Sequence, residues 1–269
     1  MIAGEQRIRA AFAAAKDEGR AALMPYMMAG YPDRESGLAV AAAYVDAGAD
    51  LIELGVPFSD PLADGPTIHA ADTRALAEGA TLRTALEVCE AVADRVPVVL
   101  MVYVNMVLAH GGATQFAKLA RAAGAAGAII PDLPLGEDES IRAAFTDAGL
   151  ATVPLLAPTT PAWRRAEICK VARGFVYLVS TVGTTGERAE VPAALADLVA
   201  ATKADAGETP VAVGFGIGTA TQAAEVGKIA DGVIIGSRLV RAAGEGTTAA
   251  ESADAVAEFL AETRVSLAG

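Results

Sequence analysis

Residues 50–70 read DLIELGVPFSDPLADGPTIHA. Leu51 and Ile52 open an apolar, strand-like run that delivers a carboxylate, Glu53, at its end. The composition then changes to a loop punctuated by Pro57, Pro61 and Pro66 and by Gly55 and Gly65, carrying two more acids, Asp60 and Asp64. Proline narrows backbone freedom and glycine reaches conformations that other residues resist, so these acids are positioned rather than merely solvated. An apolar strand that stops on an acid, followed by a stiff loop, is the unit from which the rest of the chain can be read.

Upstream, residues 5–18 predict a leading amphipathic helix with Ile8 and Phe12 one turn apart, and Leu23–Met28 a first strand. A helix follows in which Leu38, Ala41, Ala42 and Val45 keep the i, i+3, i+4, i+7 spacing and Gly48 marks the stop. Downstream the alternation repeats: a helix over Thr81–Asp94, a strand over Val98–Val102, and a helix striped by Phe116, Leu119, Ala120 and Ala123. Strand four, Ala128–Ile130, ends at Pro131-Asp132, and Ile141, Ala144, Phe145 and Ala148 stripe the next helix. Strand five, Val153–Leu156, is closed by APTTPAW, with Thr160 as a helix N-cap and Pro161 at the first helical position. Val176–Val179, Val211–Val213 and Val233–Ile235 complete the strands. Between them come the loop STVGTTGERAEV with a helix from Pro192, the segment GFGIG with a short helix, and a last helix striped by Ala253, Val256, Ala257 and Leu260.

Strands that are continuously apolar suit a parallel sheet covered by helices on one face and filled on the other. Eight strand-helix units in 269 residues close a single (β/α)8 barrel spanning 1–269, with the leading helix as an addition. An open doubly wound sheet leads one to expect a dinucleotide G-x-G-x-x-G after strand one, where this chain has Ala29-Gly30-Tyr31-Pro32. No linker-like or low-complexity segment marks a second domain.

A net charge of −12 without clustered Lys and Arg excludes a nucleic-acid surface, so an anionic ligand needs local backbone donors. Cys89 and Cys169 lack metal or redox spacing and read as buried thiols. The N-terminus has no secretory core, and the apolar run from Val96 to Ala109 is too short for a membrane and is interrupted by Pro97 and Asn105; a cytoplasmic location is expected.

The C-terminal ends of barrel strands form the active face. Here they carry Glu53, Tyr103, Asn105, Asp132, Thr159, Ser180, Gly214 and Gly236. Gly214-Phe215-Gly216 and Gly236-Ser237, after strands seven and eight, precede helices where barrels bind phosphate through free N–H groups; tight strand-to-helix turns are the plain alternative. Loop 180–191, rich in Gly and Thr, has the composition of a lid or of an ordinary connection. A carboxylate after Leu51-Ile52 must either rise in pKa or find donors, which leaves Glu53 as a proton shuttle or a capped acid. Asp64 is either an acceptor for a substrate N–H or a turn-stabilising residue before Gly65. His69 and His110 lack partners at metal-ligand spacing and read as structural.

ELGVPFSDPLADGPTI at 53–68, PDLP at 131–134, YLVSTVGTTG at 177–186, VGFGI at 213–217 and IIGSRLV at 234–240 together resemble the tryptophan synthase alpha subunit family. The resemblance implies a carbon–carbon lyase that cleaves indole-3-glycerol phosphate to indole and glyceraldehyde 3-phosphate by a retro-aldol step. It implies Glu53 as general acid/base, Asp64 as the second catalytic acid facing the indole N–H, and Tyr177 beside Glu53. Thr185 matches the lid residue that reaches Asp64; Gly186, Gly216, Gly236 and Ser237 match the phosphate site; Tyr26, Met101, Tyr103 and Phe215 match the walls of the indole slot. Asp60, Pro61 and Pro134 fall where the family meets its beta subunit, a pyridoxal-phosphate enzyme that receives the indole in an alpha2-beta2 heterotetramer. No cofactor is implied on this chain and no metal. Tyr26 stands where Phe is common and Met101 where Leu is common, and Gly218 and Ala220 replace a more usual Ser and Pro, which weakens a helix start. A stand-alone indole-releasing lyase and a non-catalytic barrel partner are the rival readings.

Overall fold

The structure is a computed structural model that describes residues 2–109, 111–179, 194–214 and 216–269. The expectations placed on 180–193, on Phe215 and on His110 lie outside the described residues. Strands β1 (Ala22–Met28), β2 (Ile52–Gly55), β3 (Val98–Met101), β4 (Gly127–Ile129), β5 (Ala151–Val153), β6 (Leu155–Leu156), β7 (Val176–Val179), β8 (Val211–Gly214) and β9 (Gly232–Ile235) make one parallel sheet. Its order is β5-β4-β3-β2-β1-β9-β8-β7-β6. Only Pro154 separates β5 from β6. It has no N–H to give the ladder, yet its carbonyl accepts the Tyr177 N–H at 3.0 Å, while β5 pairs with β4 and β6 with β7. The two are halves of one stave, so eight staves close the barrel.

Around it run helices α1 (Ala3–Asp17), α2 (Arg34–Asp46), α3 (Pro66–Ala77), α4 (Leu82–Val92), α5 (Val104–Ala109), α6 (Gly112–Ala122), α7 (Glu139–Asp147), α8 (Ala162–Val171), α9 (Leu195–Ala206), α10 (Ala220–Gly227), α11 (Ser237–Glu245) and α12 (Ala249–Ala268). Strand side chains alternate between two buried layers. Leu23, Ile52, Leu54, Leu100, Leu178 and Val213 pack outward against the helices. Ala22, Met24, Leu51, Val99, Phe175 and Ala212 fill the interior together with Ile8 and Phe12 of α1. α1 therefore seals the end of the barrel opposite the strand C-termini. At Gly4 a Cβ would stand 1.9 Å from the Ala126 carbonyl oxygen, so only glycine lets the helix approach this closely. Past the other end of α1, the buried Arg20 guanidinium grips Asp50 at 2.5 and 2.8 Å, and Asp50 also accepts the Leu23 N–H at 2.7 Å. That contact ties the start of the quoted stretch to β1 and sets β2 alongside it.

Several elements differ from the sequence expectation. The residues after Gly65 are already helical: Gly65 caps α3 and Pro66 opens it, burying Ile68, Ala71, Asp72 and Ala75. The inner face of α2 is Ser36, Gly37, Val40, Ala41 and Tyr44, with Ala42 exposed, because an alanine-rich helix offers more than one plausible stripe. Pro161 rather than Thr160 is the N-cap of α8; the Thr160 hydroxyl instead accepts the Ala157 N–H at 3.2 Å. The weakened start of α10 is made good by a capping box between Thr219 and Gln222. Cys89 and Cys169 are buried free thiols. Among the described residues no helix is long and apolar enough to cross a membrane.

Candidate active site

Inward-facing positions on neighbouring strands converge at the C-terminal end of the barrel. Tyr26 pairs in register with Glu53, and Met101 with Gly55, while Tyr177 stands on the far wall beside Ala212. With Asp64 and Ile68 from the loop and α3, and Ile234 from β9, they line an open cavity that, among the described residues, Gly216, Ile217, Gly236 and Ser237 line as well. Two glycines make room for the tyrosines. A Cβ on Gly55 would lie 2.2 Å from the Tyr26 hydroxyl, and one on Gly214 would lie 2.4 Å from the Tyr177 hydroxyl.

Glu53 is 2% exposed and its Oε2 is buried with no hydrogen-bond partner among the described residues. Burial first, and the Asp64 charge second, push its carboxyl up to about 8. Asp64 rises less, to about 6: burial lifts it, but the Tyr103 hydroxyl donates to its Oδ2 at 2.9 Å and His69, on α3, supplies opposing charge. Two acids facing one cavity thus hold their protons differently. Burial, with Glu53 and Asp64 nearby, raises the Tyr177 hydroxyl well above its ordinary range, so it stays protonated.

At the other end of the cavity Gly236 is the N-cap of α11, and Ser237 is its first residue. The first N–H groups of a helix have no acceptor within it, so this end favours an anion. Gly216 takes a φ of +87°, which brings its backbone to the same wall without strain. Thr185, Gly186 and Phe215, expected beside it, lie outside the described residues.

Tyr103 differs from its expected place in the slot wall. It stands behind Asp64, accepting the Ala63 N–H at 3.0 Å and donating to the Asp64 carboxylate, with its ring stacked on Phe58. Asp132 accepts the Val104 N–H at 2.8 Å and steadies α5 rather than joining the cavity. On the outer rim Asp60 and Pro134 are exposed, whereas Pro61 is buried within the chain. Next to Pro61 in the chain stands Leu62, 91% exposed, which carries no signal in the sequence because a single leucine in a loop makes no pattern. Also missed was Asp72, buried on α3. Among the described residues no three His, Cys, Asp or Glu side chains are grouped to hold a metal.

A parallel barrel that gathers two acids of unlike proton affinity, tyrosines and a helix N-terminus at one mouth is an enzyme of the acid/base class that works on an anionic substrate. A family model described as "Tryptophan synthase alpha chain" matches residues 12–267. The chain is 45% identical over 260 residues to the tryptophan synthase alpha chain of Geobacter sulfurreducens, covering 96% of this chain and 97% of that one. It is 42% identical over 243 residues to tryptophan synthase of Saccharomyces cerevisiae, covering 89% of this chain but only 34% of that longer protein. A solved structure of Mycobacterium tuberculosis tryptophan synthase superposes with a TM-score of 0.89 at 38% identity, covering 97% of this chain and 98% of that one. The chain belongs to the tryptophan synthase alpha chain family. It is an indole-3-glycerol-phosphate lyase of tryptophan biosynthesis; the alpha chain of this family carries no cofactor, and pyridoxal phosphate is on the beta subunit.

Proposed function

We propose that Glu53 and Asp64 divide the cleavage of indole-3-glycerol phosphate between them, with Tyr177 completing the catalytic set. Protonated Glu53 donates to indole C3, and Asp64, ionised, accepts from the indole N–H and offsets the positive charge that develops on the ring. The Glu53 carboxylate then takes the proton of the glycerol hydroxyl as the bond from C3 to the side chain breaks. The electron pair of that bond returns to the ring, giving indole and an aldehyde, and Glu53 is protonated again. One proton enters at carbon and one leaves from oxygen, so no co-reactant is needed. Tyr26, Met101 and Phe215 wall the indole; Gly186, Gly216, Gly236 and Ser237 take the phosphate; Thr185 reaches Asp64.

The observation that carries this reading is the unpartnered Glu53 oxygen, held near a pKa of about 8 beside an acid held near about 6. Glu53→Gln abolishes indole release while substrate still binds; substantial turnover by that variant refutes the shuttle. For the phosphate, the substrate and its dephosphorylated analogue are compared for binding to wild type and to Ser237→Asp, where equal affinities throughout exclude the assignment.

The chain acts as one domain over 1–269 and in the cytoplasm. Its exposed Asp60, Leu62 and Pro134, with Pro61 stiffening the loop beneath, suit docking to a beta subunit that receives the indole in an alpha2-beta2 heterotetramer. The Mycobacterium tuberculosis neighbour, a tryptophan synthase, supports that pairing.

A further inference from the structure

The chemistry above uses Glu53 and Asp64 and leaves a third buried acid without a task. Asp72 lies in the middle of α3, 2% exposed. Its Oδ1 accepts the Phe58 N–H at 3.0 Å, and its Oδ2 is buried with no hydrogen-bond partner among the described residues. The helix under it is fixed, because Ile68, Ala71 and Ala75 pack with Tyr26, Met28 and Val240. Phe58 follows Pro57 at the start of the loop, and its ring stacks on Tyr103 with centroids 5.1 Å apart. Tyr103 in turn holds the far end of the loop, through the Ala63 N–H at 3.0 Å and the Asp64 carboxylate at 2.9 Å. The segment from Phe58 to Asp64 is therefore clamped at its start by Asp72 and at its end by Tyr103, and the ring stack joins the two clamps. Ser59, Asp60, Leu62 and Ala63 between them are exposed, while Pro61 is buried and its carbonyl accepts the Asp64 N–H at 3.0 Å, so the two clamps hold the ends of a segment whose interior is a tight turn.

We propose that Asp72 is a positioning residue for the lyase reaction: by accepting the Phe58 N–H it fixes the loop that presents Asp64 to the cavity, acting through Phe58 and Tyr103 and touching no substrate. This rests on the role given to Asp64 above. Losing the acceptor frees the start of the loop, loosens the stack and lets the Asp64 carboxylate wander from the indole nitrogen.

Wild type, Asp72→Ala and Asp72→Asn are compared in full-length protein for kcat and KM of indole release, for amide hydrogen exchange across residues 56–65, and for melting temperature. Alanine suits a helix interior and deletes an unpaired buried oxygen, so that variant folds. Asp72→Ala exchanges faster across the loop and loses about tenfold or more in kcat/KM, since a catalytic group displaced by about 1 Å forfeits that much. Asp72→Asn, whose amide oxygen still accepts the Phe58 N–H, returns exchange and kcat/KM to near wild type. A general loss of folded protein would not be rescued by this one atom. Wild-type exchange and kcat/KM in Asp72→Ala, faster exchange without any loss of kcat/KM, or equal impairment of the two variants would each overturn the proposal. Absence of indole release from wild type would instead overturn the lyase roles of Glu53 and Asp64, and the exchange comparison would still decide whether Asp72 clamps the loop.

Discussion

Burial holds the Glu53 carboxyl up to about 8 and the Asp64 carboxyl up to about 6, so between those values Glu53 is mostly protonated while Asp64 is mostly ionised. That is the state in which one can donate to carbon and the other can accept from nitrogen. The pH profile of kcat/KM for indole release is expected to be bell-shaped, with an acid limb near 6 from Asp64 and an alkaline limb near 8 from Glu53. Because the Asp64 charge is one cause of the high Glu53 value, Asp64→Asn lowers the Glu53 pKa as well as the rate. Carbon-13 NMR of labelled Glu53 reads that shift directly. An unchanged or higher Glu53 value in Asp64→Asn shows that the two carboxyls do not sense each other. The assignment of Glu53 was partly legible from residue types alone, since an acid closing an apolar strand must be explained. Asp72 was not, because nothing within a turn of it distinguishes a buried helical aspartate from a solvated one.

Strands supply Glu53, Tyr26 and Tyr177, the loop after β2 supplies Asp64, and glycines on the adjoining strands leave the two tyrosine rings their space. A Cβ at Gly214 would meet three atoms of Tyr177, at 2.4, 2.6 and 2.8 Å, so the ring would have to shift toward the cavity it lines. Gly214→Ala is expected to cost about 1–3 kcal/mol in urea unfolding by overpacking, and to lower kcat/KM by turning Tyr177 away from Glu53. Adding Tyr177→Phe to it removes the atom in closest contact and recovers part of the stability; no recovery in the double variant assigns the cost elsewhere. At this scale the barrel was legible because each stave is a short run of apolar residues, and parallel strands covered on both faces need little else. Helix faces were harder to read. In α2 the alanines at 41, 42 and 43 support more than one stripe, and only packing against the sheet selects Val40, Ala41 and Tyr44. The bracing of Asp64 by Tyr103 spans 39 residues, and no local pattern carries a contact of that range.

For the molecule as a whole, one loop carries the exposed Asp60 and Leu62 and, at its end, Asp64 facing the cavity, so under the docking proposed above a load on Asp60 or Leu62 is expected to reach Asp64. Asp60→Ala is expected to leave the basal lyase rate nearly unchanged and to weaken its stimulation by a beta subunit; full stimulation would separate rim from site. The mouth also burdens stability. In the folded state Glu53, Asp64 and Asp72 are raised to about 8, 6 and 7 from ordinary values of 4.5, 3.8 and 3.8. Each therefore holds its proton in the folded chain over a window in which the unfolded chain has lost it. Where the folded state binds more protons, stability falls as pH rises. The contribution of these acids is fully present below about pH 4 and is lost progressively up to about pH 8. Asp33, Glu87 and Glu251 are shifted the other way, and their effect acts below their ordinary values, outside most of this window. Unfolding free energy measured by urea is thus expected to decline between about pH 5 and 8, by an amount of the order of a few kcal/mol. Glu53→Gln, which cannot titrate, flattens the decline most above pH 7, where Glu53 holds its proton longer than Asp64 or Asp72. A wild-type curve that rises over this interval, or a Glu53→Gln curve that runs parallel to it, shows that burial does not hold these protons.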